Sequence, residues 1–160
     1  RRLMGRVRKT DIVARIGGNE FALFVPLRGS NPRELSRITS RIRDIASFYA
    51  EIDRVFMTGV DWTLGHSLDA LDDMLYGGYG ALDGDAPVTL VWMNFARNRD
   101  ALGVDVTRAW LQDKLDTPGR YDKARMRRDI DALEAGSGPT FFDLVLEILA
   151  AHPNLTLEPR

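Results

Sequence analysis

The segment Leu68-Asp69-Ala70-Leu71-Asp72-Asp73-Met74-Leu75 is the densest cluster of carboxylate side chains in the 160-residue chain. On a helix Asp69 lies one turn from both Asp72 and Asp73, so three carboxylates share an exposed side while Leu68, Leu71, Met74 and Leu75 turn toward a core. Like charges placed so closely repel. A metal ion, the positive end of the helix beside Asp69, or Arg and Lys side chains of another protein would offset that repulsion.

Other arrangements carry less chemistry. His66 and His152 are the only histidines, and each falls at a helix boundary, where capping or surface placement is expected. Ser67 beside His66 makes no triad by adjacency alone. The run Tyr76-Gly77-Gly78-Tyr79-Gly80 lacks the Lys and Ser/Thr of a phosphate-binding loop and suits a helix C-terminus and turn. Trp92 and Trp110 read as packing residues. Cysteine is absent, which removes disulfides, thiolate zinc sites and thiol catalysis and fits a reducing, cytoplasmic compartment. No cofactor or metal is expected, and the chain does not read as an enzyme.

Charge is divided along the chain. Residues 1–45 carry 11 Lys and Arg against 4 Asp and Glu, whereas residues 46–160 carry 11 against 19. From Ala46 to Phe95 the only basic residue is Arg54, against Glu51, Asp53, Asp61, Asp69, Asp72, Asp73, Asp83 and Asp85. A field of that sign attracts a basic partner rather than nucleic acid. No apolar run approaches the roughly 18 residues of a membrane span, so no membrane is expected as a partner. The start, Arg1-Arg2-Leu3-Met4, is not a signal sequence, and without an initiator Met it suggests a fragment of something longer.

The elements that must position the acidic cluster follow from pattern. Asp11 to Ile16 and Phe21 to Pro26 flank Gly17-Gly18-Asn19 and predict a hairpin. Asn31, Pro32 and Glu34 suggest the start of a helix, and Leu35, Ile38, Ile42, Ile45, Phe48 or Tyr49, Ile52 and Val55 continue one apolar stripe for about six turns. Arg33, Arg37 and Arg41 would form a solvated row on its other face. Ser67 caps a short helix that closes at Gly77-Gly78. Pro87 to Met93 has the composition of a strand buried on both faces. Residues 94–135 are charged and helix-prone, with breaks at Gly103 and Pro118-Gly119. A last helix runs from Pro139-Thr140 to about Ala151, before the strand Leu155-Thr156-Leu157.

This order predicts an α/β fold in a single domain spanning residues 1–160. A small three-stranded parallel sheet with helical crossovers would form, plus an N-terminal hairpin extension. Residues 1–44 would complete the sheet, with its first strand drawn from Phe21 to Arg28, and residues 45–160 would form the remainder.

The stretch Trp62 to Leu75, followed by Pro87 to Trp92 and then Phe141 to Leu157, resembles the barstar family of intracellular ribonuclease inhibitors over about residues 44–160, with an enlarged segment between about Gly103 and Gly138. The core of the likeness is a Gly at 65 followed by Leu68-Asp69-Ala70-Leu71 and Asp73. In that family this helix and the loop before it plug the active site of a basic secreted ribonuclease, with carboxylates where RNA phosphates would bind. The resemblance implies partner contacts from Asp69 and Asp73, with Gly65 and Asp72 in the same motif and Glu147 as an acidic contact from the last helix. Thr63 and Leu64 stand where the family has tyrosines, and Trp62 is the substitute anchor. The implied function is an antitoxin-like inhibitor of a barnase-type ribonuclease.

A second stretch, Arg8-Lys9-Thr10-Asp11-Ile12-Val13-Ala14-Arg15-Ile16-Gly17-Gly18-Asn19-Glu20-Phe21, is similar to the signature hairpin of diguanylate cyclase (GGDEF) domains, including an Arg-x-x-Asp spacing at Arg8 and Asp11. It implies, as an alternative, a degenerate cyclic-dinucleotide-binding module using those two residues. Asn19 stands at an acidic metal-binding position, and a neutral amide there cannot balance two metal ions and a triphosphate. The earlier strand and helix of such a domain are also missing. The stretch is therefore read as structural, without cyclase activity.

Overall fold

The computed structural model describes residues 12–17, 20–24, 34–38, 42–83 and 87–160. Two strands, β1 (Ile12–Gly17) and β2 (Glu20–Phe24), pair antiparallel as the expected hairpin. A second sheet is parallel and has the order β3 (Glu34–Ile38), β4 (Val88–Trp92), β5 (Leu155–Pro159). Glu34 is in register with Val88, and Val88 with Leu155. The chain is of the α/β class.

Two sequence expectations are corrected here. The strand beside β4 comes from Glu34–Ile38 and not from Phe21 to Arg28, since β2 pairs with β1 instead. The six-turn helix is in fact strand β3 followed by a shorter helix, α1 (Ile45–Phe56). Its N-terminus is fixed by a reciprocal cap: Asp44 Oδ1 accepts from the Ser47 N–H at 2.7 Å, and the Asp44 N–H donates to Ser47 Oγ at 3.0 Å. The strand has a physical reason too. All five residues of β4 are buried, so their backbone groups need ladder partners on both edges; β5 supplies one edge and β3 the other.

The core lies between this sheet and its helices. Phe48, Tyr49, Trp92, Phe141 and Phe142 are all fully buried. Phe48 stacks on Trp92 with ring centroids 6.0 Å apart and meets Phe141 edge-on at 5.8 Å. These rings come from α1, β4 and α6 (Phe141–Ala151), so a few aromatic contacts join elements far apart in sequence. Between β4 and α6 lie α3 (Phe95–Ala101), α4 (Val104–Asp116) and α5 (Lys123–Glu134). Helices α4 and α5 share a smaller core of Leu111, Met126 and Leu133. Thr107 docks that pair onto α6: its hydroxyl accepts from the Phe141 N–H at 2.7 Å. No helix among the described residues is long and apolar enough to cross a membrane.

Candidate functional site: an acidic helix with aromatic flanks

Helix α2 (Leu68–Leu75) begins at Ser67, whose hydroxyl accepts from the Ala70 N–H at 3.1 Å. Leu71, Met74 and Leu75 are buried, whereas Asp69 and Asp73 are exposed at positions i and i+4. Asp69 sits in the first turn, where the helix dipole favours a negative charge. Among the described residues neither Asp69 nor Asp73 has an ion-pair partner. The basic residue of the acidic stretch, Arg54, is engaged by Glu51 at 2.7 Å.

Asp72 differs from its neighbours. Its Oδ1 lies 2.8 Å from Nε2 of His152, which is only 4 % exposed at the C-terminus of α6. One turn further, the Asn154 side-chain amide donates to the Leu75 carbonyl at 3.3 Å. Both bonds tie α2 to the end of α6. His152 therefore does cap a helix, but it is interior and holds a carboxylate, which adjacency in sequence did not reveal.

The loop before α2 is anchored rather than free. Leu64 is buried, and its N–H donates to Asp53 Oδ1 at 2.8 Å, so one acid of the supposed surface field points inward from α1. The His66 ring stacks on Tyr49 with centroids 4.9 Å apart and planes 9° from parallel. Gly65 is exposed, and a Cβ there would meet only the Ala70 Cβ at 3.7 Å. Trp62, 49 % exposed, leans on Tyr79 at 5.3 Å. Tyr76 follows Asp73 by one turn and is 77 % exposed, with His152 under its ring edge at 4.7 Å. Sequence reasoning assigned Tyr76 to a turn; its place seven residues after Asp69 was the available signal.

The carboxylates act on their surroundings. The phenol of Tyr49 is pushed well above its ordinary pKa by burial and, secondarily, by Asp69. That of Tyr79 is raised by burial and then by Asp73. Burial lowers Lys114 on α4, while the charge of Asp69 acts in the opposite sense. Its ammonium rests 3.5 Å from the Trp110 ring centroid. On α6, Glu147 is exposed one turn after Asp143, and the two helices α2 and α6 pack together. The arrangement offers carboxylates and rings on a rigid support. Among the described residues no group of three or more His, Asp or Glu is placed to hold a metal ion.

Residues 35–134 match the family described as Barstar (barnase inhibitor). The chain belongs to the barstar family. That family's members are inhibitors rather than enzymes, and the match runs from β3 to the end of α5, so it contains α2 and the loop before it. It also includes most of the segment 103–138 that looked like an enlargement. Glu147 lies beyond the matched residues, on α6, which packs against α2. The cyclase-like signature lies outside the match, and Arg8, Asp11 and Asn19 lie outside the described residues. No curated protein matches the chain.

Proposed function

We propose that this barstar-family chain is a cytoplasmic, antitoxin-like inhibitor of a basic ribonuclease of the barnase type, blocking its cleft with α2 and the preceding loop. The observation that carries the reading is the pair Asp69 and Asp73, exposed one turn apart without ion partners among the described residues, on a helix whose opposite face is buried. Carboxylates held that way meet Arg and Lys by charge-assisted hydrogen bonds without first having to be ordered. Trp62 and Gly65 contribute the loop edge, and Glu147 extends the acidic surface from α6. Asp72 supports this face through His152 more than it contacts the partner, since one of its oxygens is already engaged.

The test is inhibition. Barnase assayed on RNA with increasing amounts of this protein should lose activity in proportion to a one-to-one complex. An Asp69→Ala, Asp73→Ala double variant should leave the enzyme active. Unchanged activity with a molar excess of the folded wild-type protein would count against a barnase-type target.

A further inference from the structure

Helix α5 carries its charge in the reverse of the order a helix favours. Lys123, Arg125, Arg127 and Arg128 occupy its N-terminal half, and Asp129, Asp131 and Glu134 its C-terminal half. A helix dipole disfavours cations in the first turn, here Lys123 and Arg125, and anions in the last, here Asp131 and Glu134, by about 0.3–1 kcal/mol each. Lys123 and Arg127 also stand at i and i+4 as a like-charge pair, a further small cost. Local choices that oppose their own element mark places where another demand decides the sequence.

The surface has a definite character. Arg120, Lys123, Arg125, Arg127 and Arg128 are all exposed, and only Arg125 has an ion pair among the described residues, a loose one with Asp129 at 3.7 Å. The neighbouring anion Asp122 is occupied as the helix cap, accepting from the Ala124 and Arg125 N–H groups at 2.9 and 3.1 Å. Around the helix the cations spread over more than half the circumference, leaving the side of Met126 and Leu133 for the core. No exposed apolar or aromatic anchor lies among them; the nearby Tyr121 is half-buried, with Lys114 and Arg120 over its ring. Protein interfaces centre on such anchors. A surface of mostly guanidinium cations, all but Arg125 without an ion pair among the described residues and without an anchor, has instead the make-up of a phosphate-backbone contact.

We propose that the N-terminal half of α5 is a sequence-independent binding surface for the phosphate backbone of nucleic acid, separate from the acidic face of α2. The exclusion of nucleic acid drawn from residues 46–95 does not reach this helix, because the acidic field there belongs to other elements. This inference stands whether or not α2 holds a ribonuclease.

Fluorescence anisotropy of the full chain against a labelled 20-nucleotide polyuridine strand, a 20-base-pair RNA duplex and a DNA duplex of equal length tests it, and the three arms separate RNA from DNA as the source. Wild-type protein should bind at least one probe, and raising salt from about 50 to about 200 mM should weaken binding on the order of 10- to 100-fold. The variant Lys123→Gln, Arg127→Gln, Arg128→Gln should lose about tenfold or more at low salt, and the steepness of the salt dependence should fall by about two to three. Its thermal stability should be equal or slightly higher, since unfavourable charges leave the first turns of α5. Absence of wild-type binding to all three probes at low salt overturns the proposal. So does binding that the triple variant retains, which would assign it to other cations such as those of residues 1–45. Competition by polyglutamate as effective as that by unlabelled RNA overturns it as well.

Discussion

His152 Nε2 and Asp72 Oδ1 lie 2.8 Å apart across 80 positions of sequence, joining the end of α6 to the middle of α2. The imidazole is interior and the carboxylate half-exposed, so the bond satisfies a buried ring nitrogen while fixing the helix that presents Asp69 and Asp73. The exposed carboxylates of α2 are thus held in place by a residue that is itself buried.

Replacing Asp72 by Ala should accordingly lower stability by about 1–3 kcal/mol, the cost of leaving a buried polar group unpaired. Urea denaturation would measure it. Losses from Asp72→Ala and His152→Leu should be strongly non-additive, because each removes the same bond. Additive losses would mean that the two residues are not coupled.

Gly80 has a positive φ of 59°, and a Cβ built on it would fall 2.0 Å from the Phe56 carbonyl oxygen. Backbone cannot yield as a flexible side chain can. Gly80→Ala should therefore destabilise the chain by more than about 1 kcal/mol. The effect should reach the site, since Tyr79, which supports Trp62, is the neighbouring residue. Reduced thermal stability together with altered tryptophan fluorescence would report both. Gly59→Ala, where a Cβ meets nothing within 4 Å despite a φ of 81°, is the milder control.

The N-terminus of α6 gives a pH dependence. Asp143 is held below the ordinary carboxylate pKa by the Thr140 hydroxyl and then by the Thr140 N–H, and Asp44 likewise by the hydroxyl and N–H of Ser47. A depressed folded-state value means stability that is fully present above about pH 4, the ordinary aspartate value, and is lost as pH falls through the lower folded value. Thr140→Val removes the largest cause at Asp143. It should cost about 1 kcal/mol near neutrality and flatten the acid side of the stability profile. Parallel acid limbs in the two proteins would contradict the assignment.

What could be read in the sequence was local. Ser67 before Leu68, Thr140 before Phe141 and the apolar run at β4 each announce themselves within a few residues, and the acidic face of α2 follows from helical spacing. Leu35 and Ile38 sit at helical spacing yet lie in a strand, because what decides them is the unpaired edge of β4 some fifty residues later. The cap that opens α1 has a common N-cap residue, Asp44, but its box partner is Ser47 where Glu or Gln is usual, so the box pattern did not mark the break. The engagement of Asp72 and the inward turn of Asp53 were hidden for the same reason: their partners, His152 and the Leu64 N–H, are set by tertiary packing.

The acidic face itself yields a kinetic contrast. Asp73→Ala and Glu147→Ala should each weaken binding to a basic ribonuclease while leaving the fold intact, since neither side chain has a hydrogen-bond or ion-pair partner among the described residues and both are exposed. Removing one member of an interfacial charge pair that becomes buried and hydrogen-bonded typically costs about 2–5 kcal/mol and acts mainly by speeding dissociation. Asp83, exposed beyond the short turn after Tyr79, contributes only to the field. Asp83→Ala should slow association modestly and lower its salt dependence, with dissociation unchanged. Stopped-flow binding at two ionic strengths separates these outcomes. An Asp73→Ala protein with wild-type affinity for every basic ribonuclease it is offered would return the acidic cluster to an ordinary solvated helix face.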